Sequence, residues 1–141
     1  MTAVADNADD EPVMYIVVNT SLDMSIGKTC AQVGHSVQYV IQHVASVMVS
    51  AGATESLRES ERVLLDNYRK WADGSHAKVV LGASAREFER LLNEGMGEDV
   101  VSLAVTDEGR TEVVNGAQTV VAFCPMRKSQ RSSLLKRLRL L

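Results

Sequence analysis

The stretch "VMYIVVNTSLDMSIGKTCAQVGHS", residues 13–36, decides the fold by a change of rhythm. Residues 13–19 are a nearly continuous apolar run rich in β-branched side chains, the pattern of a strand buried on both faces. From Lys28 the apolar residues recur at helical spacing as far as Ala51, with Gly52 as a stop signal. Between the two, Gly27-Lys28-Thr29 stands where a phosphate-binding loop would end. Such a loop needs a glycine five positions before Gly27, so that successive N–H groups can wrap the phosphates. Leu22 holds that place, and Asp23 would set a carboxylate beside the anion. The lysine at the head of the helix therefore needs another explanation.

The helix has two unlike sides. Val33, Val37, Val40, Ile41, Val44, Val47 and Met48 fall on one, at 100° per residue. Lys28, Gln32, His35, Tyr39, Gln42, His43, Ser46 and Ser50 fall on the other. That polar stripe holds no carboxylate, whereas a merely solvated face usually alternates Glu and Lys. It is read as half buried or turned toward a partner.

Downstream, residues 56–74 give a second helix, with Ser56 and Glu59 as a capping box and Gly74 as terminator. "HAKVVLGA" is a strand, and "SAREFERLLNEG" a third helix with Ser84 and Glu87 as its box and Gly95 as its end. "VVSLAV" and "QTVVAFCP" are two further strands, with Asn115-Gly116 a tight-turn signal before the last. Strands alternating with helices predict a three-layer α/β/α sandwich around a mostly parallel sheet.

The 141 residues suit one domain, 13–141, preceded by a disordered acidic extension, 1–12. No apolar run approaches the roughly 20 residues that span a membrane, and the first residues lack the basic-then-apolar order of a signal peptide. A cytoplasmic protein with no membrane partner is expected. Cys30 and Cys124 have no metal-ligand spacing and are read as reduced, mostly buried thiols. The net charge of −3 hides an asymmetry. Residues 1–12 carry four acids and no base, while residues 126–141 carry six bases and no acid. A basic end suits phosphate backbones, and its leucines equally suit packing on the domain.

Ligands gather at the C-terminal ends of strands in open α/β sheets. "NTSLDMSIGK" and "TDEGRTEVVNG" both follow strands, so Lys28 and Asp107 are expected to meet. A lysine at a helix N-terminus favours a phosphate or a developing oxyanion. A nearby aspartate orients water, acts as base, or simply caps a turn. Thr111 and Thr119 offer hydroxyl groups. No Gly-x-Ser-x-Gly elbow is present and Cys30 has no evident base, which argues against a covalent intermediate.

The segments "GKTCAQVGHS", "AKVVLGA", "TDEGRTEVVNGAQTVVAFCP" and the leucine-rich end resemble the type 2 peptidyl-tRNA hydrolases over roughly residues 13–141. Gly27, Lys28, Ala31, Gln32 and His35 match that family's helix signature. Asp107, Gly109, Arg110, Thr111, Gly116, Thr119 and Val120 match its loop signature. The resemblance implies a four-stranded mixed sheet flanked by helices, often in a homodimer, and hydrolysis of the ester joining a peptide to tRNA; the chain is read as an esterase needing no metal or cofactor. Carried over by position, Lys28, Asp107, Thr111 and Thr119 fall on residues implicated in activity, with His35 and Lys78 lining or supporting the site. Gln32 and Arg110 are expected to contact substrate. The chain departs from the family where Asn19 and Ser21 replace an arginine and an aspartate, where Ser25-Ile26 replaces Gly-Lys, and at Glu108 and Asn115. Those changes admit a rival reading, a catalytically weakened RNA- or protein-binding module. A small nucleotide-binding switch is a second rival.

Overall fold

The computed structural model describes residues 10–54, 56–93, 100–109, 113 and 116–141, with the side chains of 53 and 54 excluded. Most of the expected acidic extension, and the expected helix end at Gly95, lie outside the described residues. Strand β1 spans Met14–Asn19, and a short 3₁₀ turn, Thr20–Leu22, leads to helix α1, Ile26–Thr54. Helix α2 is Glu59–Asp73, β2 is Lys78–Ala83, and α3 is Ala85–Asn93. Strands β3, Ser102–Thr106, and β4, Gln118–Phe123, follow. The basic end then forms a short helix α4, Ser133–Arg137, and a strand β5, Arg139–Leu140.

The sheet has five strands in the order β3-β4-β1-β2-β5, and only β1 and β2 pair in parallel. The expectation of four mostly parallel strands is thus corrected. Strands β1, β2 and β3 do run the same way, as the helix–strand alternation implies. The chain then reverses after β3, and β4 slots antiparallel between β3 and β1. The fifth strand comes from the basic end: β5 returns antiparallel along β2, with Gly82 opposite Arg139, and Leu141 N donates to Val80 O at 3.0 Å.

The three layers are as expected, and β1 builds two of their contacts at once. Tyr15 and Val17 join Leu81, Phe88, Leu91, Phe123, Leu134 and Leu135 on the α3/α4 side. Met14, Ile16 and Val18 join Val40, Val44, Leu64, Leu65 and Trp71 on the α1/α2 side. Period-2 alternation with both faces covered explains the unbroken apolar run. Of the tail leucines, Leu134 and Leu135 are core residues, and Ser132 Oγ caps their turn by accepting from Leu135 N at 3.1 Å. Burying each such side chain contributes about 1.5–3 kcal/mol.

Helix boundaries moved where capping decides them. Helix α1 starts earlier than expected, at Ile26, since Ser25 Oγ accepts from Lys28 N at 3.2 Å. It runs through Gly52, a site with open space around it. Helix α2 starts at Glu59 rather than after Ser56, because Glu61 Oε1 accepts from Arg58 N at 3.1 Å. The box at Ser84 and Glu87 forms as read, with Glu87 Oε1 accepting from Ser84 N at 2.9 Å and Ser84 Oγ from Glu87 N at 3.2 Å. Among the described residues no helix is long and apolar enough to cross a membrane.

Candidate functional site

Because β1, β2 and β3 run together, their ends Asn19, Ala83 and Thr106 share one edge of the sheet. Helix α1 begins just beyond that edge and crosses over β3 and β4. The space between the first turns of α1 and the end of β3 is a cleft of about 600 Å³, lined by Gly27, Lys28, Gln32, His35, Tyr39 and Asp107 among others.

Lys28 and Asp107 meet inside it. Lys28 Nζ donates to Asp107 Oδ1 at 2.6 Å, with the side chains only 11% and 6% exposed. The second carboxylate oxygen accepts from Gly109 N at 2.9 Å, an Asx turn that Gly109 permits by its φ of 73°. The backbone of Asp107 is pinned as well. Its N–H donates to Ala117 O and its carbonyl accepts from Gly116 N, each at 2.8 Å. The hydrogen bond from Lys28 holds the Asp107 carboxyl below its ordinary range, against the upward push of burial. Asp107 therefore does both jobs raised by the sequence: it closes a turn and it presents a carboxylate to the cleft.

A second polar pair lies beneath the first. The β3–β4 register shifts by one residue between Val105 and Thr106, so Val105 faces Val120 while Thr106 faces Gln118. Thr119 is the extra residue of this β-bulge, and the bulge turns it to the same side as Val120. There Gln32 Nε2 donates to Thr119 Oγ1 at 2.8 Å. Both residues are buried, so the bond fastens α1 to β4 directly under Lys28. Gln32 also lines the cleft, whereas Thr119, fully buried, does not.

The other expected residues divide. His35 is exposed on the cleft wall about two turns beyond Lys28. Lys78 stands at the start of β2, on the opposite edge of the sheet, with Nζ donating to His76 O at 3.1 Å and lying 5.1 Å from the Trp71 ring centre. The structure does not bring it to the cleft. Arg110 and Thr111 lie outside the described residues. Cys30 is exposed rather than buried, while burial pushes the Cys124 thiol up to about 12. The departures in the first loop have local roles. Asn19 Oδ1 accepts from Ser21 N at 3.2 Å and Ser21 Oγ at 2.6 Å, and Asn19 Nδ2 donates to Gln118 O at 3.3 Å.

Sequence reasoning names Gly109, Gln32 and Thr119 but misses how they hold the pair. Gly109 N clamps Asp107, and the Asp-x-Gly spacing was an available turn signal. The bulge at Thr119 had no signal in composition or periodicity.

A family model described as peptidyl-tRNA hydrolase PTH2 matches residues 12–141. Over 127 residues the chain is 32% identical to the probable peptidyl-tRNA hydrolase 2 of Dictyostelium discoideum, covering 89% of this chain and 52% of that protein. Over 119 residues it is 28% identical to the probable peptidyl-tRNA hydrolase 2 of Schizosaccharomyces pombe, covering 84% and 50%. The chain spans about half the length of the curated relatives it matches.

Proposed function

Because the chain belongs to the peptidyl-tRNA hydrolase PTH2 family, we propose that it hydrolyses the ester joining a peptide to the 3′ end of tRNA. The observation that carries this reading is the Lys28–Asp107 pair, held at 2.6 Å inside an open cleft. The reaction needs a water molecule aimed at an ester carbonyl and positive charge where the carbonyl oxygen becomes negative. The water oxygen bonds to the carbonyl carbon, the bond from that carbon to the ribose 3′ oxygen breaks, and a water proton ends on the ribose.

The lowered pKa of Asp107 makes it a weak base, so its role is to accept a hydrogen bond from the water and orient it. Lys28 has two further N–H bonds for the developing oxyanion, and the first turn of α1 adds unspent N–H groups and positive dipole at Gly27. His35 contacts the substrate from the wall of the cleft, and the family resemblance assigns Thr111 to aid Asp107 and Arg110 to contact the substrate. Gln32 and Thr119 are positioning residues, which fix the height of Lys28 over the strand end. The retained pair weighs against the rival of a binding module that has lost its site. The proposal places the reaction in the cytoplasm and carries over the homodimer implied by the family resemblance.

The test is release of N-acetylated amino acid from tRNA by the wild type and by Lys28→Ala. Turnover by the wild type that falls at least a hundredfold in the variant supports the assignment. Negligible, equal rates in both would overturn it.

A further inference from the structure

A second opening lies on the same edge of the sheet as the cleft. Its volume is about 500 Å³, and its walls include Thr20, Ser84, Glu87, Arg137, Arg139 and Leu140. The two arginines are exposed and their backbones are fixed by structure, Arg137 at the end of α4 and Arg139 in the ladder opposite Gly82. Glu87 is the one acidic side chain among these walls, and it is already engaged in capping α3 through Ser84. Its pKa is lowered mainly by those Ser84 bonds, with smaller help from Arg137 and Arg90. Leu140, 76% exposed, sets an apolar plate beside the arginines. Guanidinium forks match phosphate oxygens, and an apolar plate suits the face of a base.

We infer that this groove binds the phosphate backbone of the single-stranded 3′ segment of the substrate tRNA, a few nucleotides before the ester. The inference rests on the reaction proposed above. Position supports it: β3 and β5 are four strand intervals apart, or roughly 19 Å at ~4.8 Å per interval. A few extended nucleotides cover that span. The ground between is the polar turn Thr20–Leu22, in which Thr20 and Ser21 are exposed, with exposed Asp23 as the acidic side chain at its far end. Two arginines also suit a short strand of RNA better than an anionic lipid surface, which is held by clusters of about 4–8 cations.

The test compares wild type with R137Q/R139Q on two substrates, N-acetylaminoacyl-tRNA and the N-acetylaminoacyl ester of adenosine alone. Glutamine leaves the β5 ladder intact, and a melting curve checks the fold. The variant is expected to lose about tenfold in kcat/KM on the tRNA ester, chiefly through KM, with the adenosine ester unaffected. The slope of log kcat/KM against log salt should shrink by about 0.7 per arginine. Unchanged kinetics on the tRNA ester, or equal losses on both esters, would overturn the inference. A wild type that cleaves neither ester would remove the proposed reaction. The groove is then decided by fluorescence anisotropy with a labelled short RNA ending in CCA, where loss of binding in the variant supports it and unaltered binding rejects it.

Discussion

Lys28 Nζ lies 2.6 Å from Asp107 Oδ1, although 79 positions of chain separate the two residues. One end of the contact is set by a helix start, capped by Ser25, and the other by a turn closed through Gly109. Each residue thus needs the other's segment to be in place, and the cleft owes its charge arrangement to that pairing.

Lys28→Ala and Asp107→Asn are each expected to lower kcat about 100–1000-fold, the range for removing one preorganised charge or donor. The double variant should lose little more than the worse single one, because residues acting as a unit are not additive. Steady-state kinetics on N-acetylaminoacyl-tRNA checks both statements. Full additivity would mean that the two side chains act independently.

The pH dependence follows from the direction of the Asp107 shift. Its folded pKa lies below the ordinary aspartate value of 3.8, chiefly through the Lys28 hydrogen bond. The contribution of this carboxylate to stability is fully present above that ordinary value and is lost as pH falls through the folded pKa. Lys28→Met removes the largest downward cause and leaves burial opposed only by the Gly109 N–H, so the carboxyl should titrate higher than in the wild type. Carbon-13 NMR of the Asp107 carboxyl, followed from pH 7 downward, reads this directly. A lower midpoint in the variant would contradict the assignment.

Gly109 supplies both a donor and a backbone conformation. Its φ of 73° costs an L-residue roughly 1–2 kcal/mol. Gly109→Ala should therefore loosen the turn and reduce kcat several-fold, while Gly109→Asn, which tolerates that region better, should be milder. Kinetics of the two variants side by side tests the order, and the reverse order would count against the clamp.

The Gln32–Thr119 bond predicts an asymmetry in stability. Thr119→Val keeps the shape but strands the buried amide of Gln32, at a cost of about 1–3 kcal/mol. Pairing it with Gln32→Met removes both polar partners and should return part of that loss. Urea unfolding of the single and double variants measures the coupling. Strictly additive losses would show that the bond contributes nothing.

The thiols should differ sharply. Iodoacetamide is expected to modify exposed Cys30 in the native protein and to reach Cys124 only on unfolding, since Cys124 is buried and its thiol pKa is raised to about 12. Mass spectrometry of the labelled peptides checks the assignment. Native labelling of both at comparable rates would place Cys124 nearer the surface.

Much of this was legible in residues 13–36 and in the loop around Asp107, for definite reasons. The apolar run of β1 signals two covered faces, and Ser84 with Glu87 signals a helix start, because both signals are local. Neighbour order in the sheet is not local. Nothing between residues 100 and 125 says that β4 will enter between β3 and β1, and this insertion changes a parallel expectation into antiparallel pairings. The tail was ambiguous because Leu134, Leu135 and Leu140 read alike, yet two are buried and one is exposed. In the site, the meeting of Lys28 and Asp107 was foreseeable from strand ends. Thr119 was foreseen as a hydroxyl but not as a buried one, since the bulge that turns it toward Gln32 depends on a single extra residue in β4.

That extra residue makes the register of the β3–β4 ladder part of what holds the Lys28–Asp107 pair. Deleting one codon from β4 ahead of Val120 would leave the sheet a more regular ladder and, on the proposed function, slow the hydrolysis. With the irregularity ironed out, α1 would lose its anchor on the strand, and the ammonium at its tip would no longer be held at a constant height.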